Sequence, residues 1–425
     1  MNKNTIIWGV VCLLCLWTTS AKADSSLETE IKEMKAQFEV MQKKMAVLEE
    51  KVSAQNQQMA EQNAIKQSYE ERINGLENQL TQKNTPTPAM PSTQSTLTKW
   101  IPEIGVVADV VGTLDSAKDD EEGADRVSLR ELELVLGSNV DPYSRLDATI
   151  SFSDTEDPSL EEAYLTRFAM PFDTTARLGK FKPKVGKVLG VHRDSLDTVD
   201  EPLVIQQYFG VEGLNKSGID FSKTLDFPIP VTQQFTVGVL EGGNGEDGTV
   251  FGDTRRRPTI YNHLKNYLDV TDSTGMELGF SHMIGSRDED SSFEVQVLGA
   301  DATLTHNFNA NQNVKLQGEV FNLSRKETED FDGNLWGAYG LADLRLHPLW
   351  STGFRYDYVQ PVDNDRSINS EKEDRGLTGY LTFYQSEFAR WRLQFTHTDT
   401  ITGKDNNTAY LQGTFSIGEH KHKLQ

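Results

Sequence analysis

Two hydrophobic periods divide the chain. From Leu27 to Leu80, apolar side chains recur at alternating spacings of four and three residues, as in Leu27, Ile31 and Met34. A 3.5-residue repeat of this length predicts a left-handed coiled coil, because each helix must wind to keep its apolar stripe against a partner. We therefore expect a coiled coil at residues 24–80. The alternative is one amphipathic helix lying on a globular domain, but too little helical core is predicted elsewhere to receive it.

The next segment, residues 81–99, predicts a linker. Pro86, Pro88 and Pro91 stand there among Thr, Ser, Gln and Asn. Proline fits neither the interior of a helix nor a central paired strand. Such a composition is typical of an extended connection between two folded regions.

From Trp100 onward the hydrophobic period changes to two. Leu377, Gly379 and Leu381, for example, alternate with Thr378 and Tyr380. One face of each predicted strand is therefore apolar and the other polar. The clearest predicted strands are 314–320, 336–346, 352–358, 377–384, 391–396 and 409–417.

Short and long connections alternate along this region. Short turns are predicted at 139–142, 170–173, 227–230, 309–312 and 385–388, and long polar loops at 115–125, 184–213, 241–257, 326–333 and 362–375. This asymmetry predicts an all-β transmembrane barrel of sixteen antiparallel strands over residues 100–425, with both chain ends and the coiled coil in the periplasm. A soluble all-β sandwich or solenoid would also alternate, but it gives no reason for a long loop at every second connection.

Residues 1–23 have the layout of a cleaved secretory signal peptide. Lys3 precedes an apolar run, and the segment ends on Ala21-Lys22-Ala23. Both cysteines, Cys12 and Cys15, lie inside it, so we expect a mature chain without disulfides or thiolate ligands. The net charge of −22 argues against a nucleic-acid partner.

The barrel region contains a series of short motifs in a particular order. They are 129–133, 141–143, 161–165, 179–183 with Gly186, 200–202, 209–214, 353–358 and 386–388. Their order resembles that of the phosphate-selective porin (O and P type) superfamily. It is similar, in particular, to a branch with an N-terminal coiled coil, some members of which are labelled zinc-regulated outer-membrane receptors.

The resemblance implies a trimeric channel for small solutes, with the third long loop folded inward. The resemblance does not imply a receptor function for this chain, because an energised receptor needs a plug domain and a larger barrel. A coiled coil cannot replace such a plug. We therefore expect a passive outer-membrane porin.

A cluster of cationic side chains lies where this third loop, loop three, is predicted to begin. The cluster comprises Lys180, Lys182, Lys184, Lys187 and Arg193. Period two places the first three on one face, and a lysine facing lipid at mid-membrane costs about 2–4 kcal/mol. We therefore expect them to line the channel, with Phe181 towards lipid. The alternative is a cluster whose lysines snorkel towards the membrane interface or lie on the loop surface.

The other charges predicted to line the channel are of both signs. They are Lys315, Arg345, Arg355 and Arg392, together with Glu131, Glu133, Asp301, Glu319, Asp343 and Asp357. Opposed charges across a lumen do not make a strict anion filter. We therefore expect modest selectivity.

Neither a catalytic nor a cofactor site is predicted. The acidic run 119–122 lacks the carboxylate spacing of an ordered Ca²⁺ loop. The histidines His282, His306 and His397 are scattered, without a nucleophile motif. We assign no metal, no cofactor and no enzymatic activity.

Two functions fit the sequence. In the first, the barrel lets small hydrophilic solutes, with anions such as phosphate as candidates, diffuse through a lumen constricted by loop three. In the second, the barrel is an anchor, and its periplasmic coiled coil tethers peptidoglycan or a periplasmic partner. In either case we expect the bacterial outer membrane, contact with lipopolysaccharide, and a homotrimer.

Overall fold

A computed structural model gives the fold of the barrel region. It describes residues 102–418 except 117–124, 155–156, 212, 226, 228–229, 243–250, 252–256, 287–293, 329–330, 363–372 and 402–404. The predicted signal peptide, coiled coil and linker lie outside the described residues.

Sixteen antiparallel strands in the described residues form one closed barrel. They are β1 Glu103–Asp115, β2 Arg126–Asp141, β3 Ser144–Phe152, β4 Ser159–Met170, β5 Thr174–Phe181, β6 Lys216–Leu225, β7 Thr232–Leu240, β8 Thr259–Thr271, β9 Thr274–Ser286, β10 Glu294–Asn309, β11 Gln312–Thr328, β12 Phe331–His347, β13 Trp350–Val359, β14 Asp374–Ser386, β15 Ala389–Asp399 and β16 Asp405–Gly418. Each strand pairs with the strand before and after it, and β1 closes on β16 with Ala108 opposite Phe415. The predicted sixteen-stranded barrel is confirmed.

The two ends of the barrel differ in their connections. Gly105 near the start of β1 lies opposite Gly418 at the end of β16, so the first and last described strands begin and end at one rim. The short turns lie at that rim, including those between β2 and β3 and between β14 and β15. The opposite rim carries the longer loops.

One predicted long loop, 326–333, is wrong. Most of this stretch belongs to strands, because β11 continues to Thr328 and β12 begins at Phe331, and these two residues pair. The polarity of this stretch predicted a loop, yet strand pairing depends on backbone hydrogen bonds and needs no apolar face. Two strands can therefore continue as a polar ribbon beyond the apolar wall.

The faces of the barrel are reversed relative to a soluble protein. On β14, Thr378 and Thr382 are fully buried, whereas Leu377 and Leu381 are 44% and 43% exposed. Every second side chain points outward, so the outer wall is apolar and the inner wall polar. At the rim with the short turns, Trp350 lies against Phe383 on the outer wall, with ring centroids 4.6 Å apart.

Loop three connects β5 to β6 through residues 182–215 and folds into the barrel. It contains a 3₁₀ turn at Arg193–Ser195 and a short helix, α1, at Leu203–Phe209. The helix ends at Gly210, whose φ of 95° lies in the left-handed region that glycine tolerates. Among the described residues, no helix is long and apolar enough to cross a membrane.

An apolar cluster lies between loop three and the inner wall. Val185, Leu189 and Phe209 from the loop are almost fully buried, together with Phe321 of β11. The rings of Phe209 and Phe321 meet edge to face, with centroids 5.4 Å apart. The apolar core of the barrel therefore lies between loop three and one side of the inner wall, and it attaches the loop there.

Candidate functional site

Loop three contacts the inner wall on several sides of the barrel. On β2, Arg130 donates to the carbonyl of Val199 at 2.5 Å. On β11, Glu319 accepts hydrogen bonds from the backbone N–H groups of Lys187 at 2.8 Å and Val188 at 2.9 Å. Since β2 and β11 are far apart around the barrel, the loop crosses its interior.

Arg355 of β13 attaches the middle of loop three to the wall. The side chain is 1% exposed. Its Nε donates to Asp357 at 2.7 Å, and its Nη1 donates to the hydroxyl of Thr198 at 2.5 Å and to the carbonyl of Asp200 at 2.7 Å. Asp357 also accepts from the backbone N–H of Leu203, the first residue of α1, at 3.1 Å. This network therefore positions the start of the helix.

Two further arginines, on β15, hold the loop backbone. Arg392 donates to the carbonyl of Leu196 at 2.9 Å, and Arg390 donates to that of Asp194. Both side chains are almost completely buried. Arg392 was predicted to line the channel, and here it lies inside the barrel but is engaged with loop three.

The predicted lysines differ in their surroundings. Lys315 donates to Asp197 at 2.6 Å, and Lys187 donates to Glu277 at 2.6 Å. Lys184 is exposed, and its charge lies close to those of Arg177, Asp220 and Lys265. Within loop three, it is therefore the lysine that offers the most accessible positive charge to a solute.

The expected direction of Phe181 is wrong. Phe181 is fully buried inside the barrel, with the guanidinium of Arg177 4.3 Å from its ring centroid. Lys180 takes the opposite, outer face of β5, and its Nζ donates to the carbonyl of Leu160 at 2.7 Å. The reason is that loop three carries apolar side chains into the lumen, so an inward-facing phenylalanine finds apolar neighbours there.

Further predicted residues lie on the inner wall away from the centre of loop three. Arg345 is half-buried, with its guanidinium 4.4 Å from the ring centroid of Tyr384. Asp343 accepts a hydrogen bond from the hydroxyl of Tyr380 at 2.9 Å. Arg193 lies within loop three, where its Nε donates to Glu201 at 3.1 Å.

A dense cluster of charges lies where loop three passes β2 and β4. It comprises Glu131, Glu133, Glu161, Glu162, Lys182 and His192, all buried, and we call it the Glu–His cluster. Burial alone lowers the pKa of Lys182, but Glu161, Glu131 and Glu133 raise it above its ordinary value. Burial and Lys182 lower the pKa of His192, whereas its hydrogen bonds to Glu133, Glu161 and Glu162 raise it well above the usual range. The cluster therefore attracts positive charge.

Comparisons with known proteins agree with this geometry. No family model matches the chain. A protein of Aquifex aeolicus (strain VF5) described as uncharacterized is 26% identical over 329 residues, which cover 69% of each chain. The structure is similar to OprB of Pseudomonas putida, with a TM-score of 0.55 and 11% identity over 77% of this chain and 96% of that one. It is also similar to the anion-selective porin from Comamonas acidovorans, with a TM-score of 0.51 and 10% identity over 74% of this chain and 99% of that one.

The fold is that of the porins. Within this porin fold, sequence reasoning missed several inward-facing residues. Arg390 lies two residues before Arg392 and therefore on the same face of β15. It could have been found by extending the period of that strand. Glu161 and Glu162 are adjacent, so strict alternation allows only one of them to face inward; an irregularity in the pairing of β3 with β4 brings both inward. His192 gave no signal, because its position depends on the path of loop three.

Proposed function

We propose that the protein is an outer-membrane channel through which small hydrophilic solutes diffuse passively, and that loop three narrows its lumen. The observation that carries the proposal is the closed barrel with an apolar outer wall and a charged inner wall. A barrel with this distribution is stable in a bilayer, because its backbone is fully paired and its polar side chains face inward. The bacterial outer membrane is where such barrels reside.

The contacts of loop three support its role as a constriction. The loop meets β2, β11, β13 and β15 through the hydrogen bonds of Arg130, Glu319, Arg355 and Arg392. A loop attached on opposite sides of a lumen reduces the open cross-section. Solutes must then pass beside the loop, where the local charges act on them at short range.

The accessible charges favour a modest preference for anions. Most cations of the lumen are engaged with carboxylates or carbonyl groups, as Lys315 is with Asp197. Lys184 is exposed, and Lys265 keeps 39% of its side chain exposed although its ammonium group lies 2.9 Å from Glu277. We therefore place the anion-attracting part of the passage beside these two lysines.

Charge reversal tests this placement. In planar bilayers under a KCl gradient, Lys184→Glu should shift the reversal potential towards cation selectivity, because a positive charge beside the passage becomes negative. Lys180→Glu is the matched control, since it makes the same change on the outer face of β5 and should leave the potential unaltered. Equal shifts in both variants, or none in Lys184→Glu, would contradict the proposed route.

The homotrimer, and the tethering role of the coiled coil, stay predictions. Loop three and the inner wall bear on neither of them. Deleting residues 27–80 separates the two functions predicted from the sequence, because a channel should conduct without that segment whereas a tether should be lost.

A further inference from the structure

The Glu–His cluster concentrates negative charge in a dry part of the barrel. Glu131 and Glu133 come from β2, Glu161 and Glu162 from β4, and His192 from loop three. All five are 7% exposed or less. The ammonium group of Lys182 lies 3.8 Å from Glu161, so one lysine faces four carboxylates.

The geometry of three members matches the spacing of metal ligands. Nδ1 of His192 lies 3.2 Å from Oε1 of Glu133 and 3.2 Å from Oε2 of Glu161. These three atoms all lie within 4.8 Å of one another. Tetrahedral ligands bound at about 2.0–2.1 Å from a zinc-type ion are themselves about 3.3 Å apart. The two distances from Nδ1 are close to this value, so an ion among the three atoms would bind each of them after local shifts of the carboxylates.

The other nitrogen of the imidazole is already oriented. Nε2 of His192 lies 3.0 Å from Oε2 of Glu162. A histidine that binds a metal through one ring nitrogen usually donates its other N–H to a carboxylate, which fixes the ring and raises its basicity. Glu162 is the carboxylate in this position beside His192.

Two carboxylate oxygens provide an independent sign of a missing cation. Within the described part of the chain, Oε2 of Glu131 and Oε1 of Glu161 are buried and receive no hydrogen bond. Glu131 and Glu161 are 5% and 4% exposed, and their carboxyl groups lie within hydrogen-bonding reach of each other, so the pair must share a proton unless a cation lies beside it. Burying charged oxygens without a partner is costly. A bound cation would satisfy both.

We propose that Glu133, Glu161 and His192 bind a divalent transition-metal ion, with Glu131 beside it and Glu162 orienting the imidazole. One imidazole nitrogen with carboxylate oxygens suits a zinc-type ion better than Ca²⁺ or Mg²⁺, which prefer oxygen ligands throughout. Because His192 belongs to loop three and the glutamates belong to the wall, the ion fastens the loop to β2 and β4. The site is separate from the exposed lysine Lys184.

Metal retention tests the site directly. The purified full-length protein in detergent is stripped with EDTA, equilibrated with Zn²⁺, freed of loose ions by gel filtration, and analysed by mass spectrometry for metal. We expect a single retained ion in the wild type and its loss in Glu133→Gln and Glu161→Gln. Glu162→Gln should retain the site with an affinity lowered about 10- to 100-fold.

The matched control lies at the rim with the long loops. His397 lies 3.0 Å from Asp399 in an exposed pair that could hold a surface ion, so His397→Ala removes that source and should leave the retained ion in place. Each variant is first checked for the heat-modifiable gel mobility of a folded barrel, and the isosteric Gln changes favour folding because they remove repulsion.

Two results would overturn the proposal. One is a wild-type protein that retains no Zn²⁺, Mn²⁺ or Co²⁺, which would mean that protons alone balance the cluster. The other is retention that Glu133→Gln and Glu161→Gln leave unchanged. A rise in melting temperature with Zn²⁺ should likewise occur in the wild type and in His397→Ala but not in Glu133→Gln. None of these measurements depends on conductance.

Discussion

Single glycines determine how closely the strands of this barrel approach one another. Gly179 on β5 has a φ of 141°, and a methyl group there would lie 2.1 Å from the carbonyl oxygen of Ala163 on β4. At Gly340, on the outer wall of β12, the same methyl group would meet nothing within 4 Å. The two positions differ in backbone strain and in the room for a side chain.

This difference predicts opposite tolerance to alanine. Gly179→Ala should lower the free energy of unfolding by about 1–3 kcal/mol, because it adds a clash to an unfavourable backbone conformation. Gly340→Ala, the control, should change it by less than about 0.5 kcal/mol. Urea unfolding in lipid vesicles, followed by tryptophan fluorescence, measures both. A similar loss in the two variants would show that the close approach at Gly179 is not needed.

At the residue scale the sequence left one ambiguity that the structure resolves. A period of two says which residues share a face, but not which face is the lumen. The lipid cost of lysine placed Lys180 inside, whereas the structure places Phe181 there and Lys180 outside. The free-energy cost of lysine in lipid did not determine which face points inward, because Lys180 donates to the carbonyl of Leu160 and loop three supplies apolar neighbours for Phe181.

Among the elements, loop three depends on buried arginines for its position. Arg355 is 1% and Asp357 0% exposed, and together they hold Thr198, Asp200 and Leu203. Removal of one partner from a buried ion pair leaves the other charge without compensation. The same change at an exposed pair has little effect, because water replaces the partner.

Arg355→Leu should therefore lower the free energy of unfolding by about 3–5 kcal/mol and release the start of α1. The control is Arg167→Leu, since Arg167 and Asp141 form a pair whose side chains are 44% and 46% exposed, and it should cost less than about 1 kcal/mol. Unfolding in urea measures the difference. Adding Asp357→Asn to Arg355→Leu should recover part of the loss, and no recovery would show that the buried charge is not the cause.

The regular elements were largely predictable, and the irregular one was not. The strands β11 to β16 follow directly from the alternation of apolar and polar residues. Successive side chains point in turn to the apolar outer wall and to the polar inner wall. The helix α1, with the sequence Leu-Val-Ile-Gln-Gln-Tyr-Phe at residues 203–209, is only two turns long and carries no periodic signal. Its conformation depends on packing against β12, β13 and β14, which only the closed barrel supplies.

At the scale of the whole molecule, closure brings distant residues together. His192 lies 59 residues from Glu133 along the chain, yet their side chains meet. No sequence spacing could have indicated the Glu–His cluster, whereas the barrel itself was visible in the alternation of strands and loop lengths. We propose that the barrel as a whole is an open passage for small solutes, although loop three crosses it.

Swelling of vesicles that contain the purified protein tests this claim most directly. When proteoliposomes are diluted into isotonic solutions of neutral sugars and amino acids, we expect swelling with the smallest solutes and a decline as solute size increases, because loop three limits the passage. Protein-free vesicles give the baseline. Swelling rates equal to that baseline for every small solute would contradict the account, since a closed barrel would then serve only as an anchor.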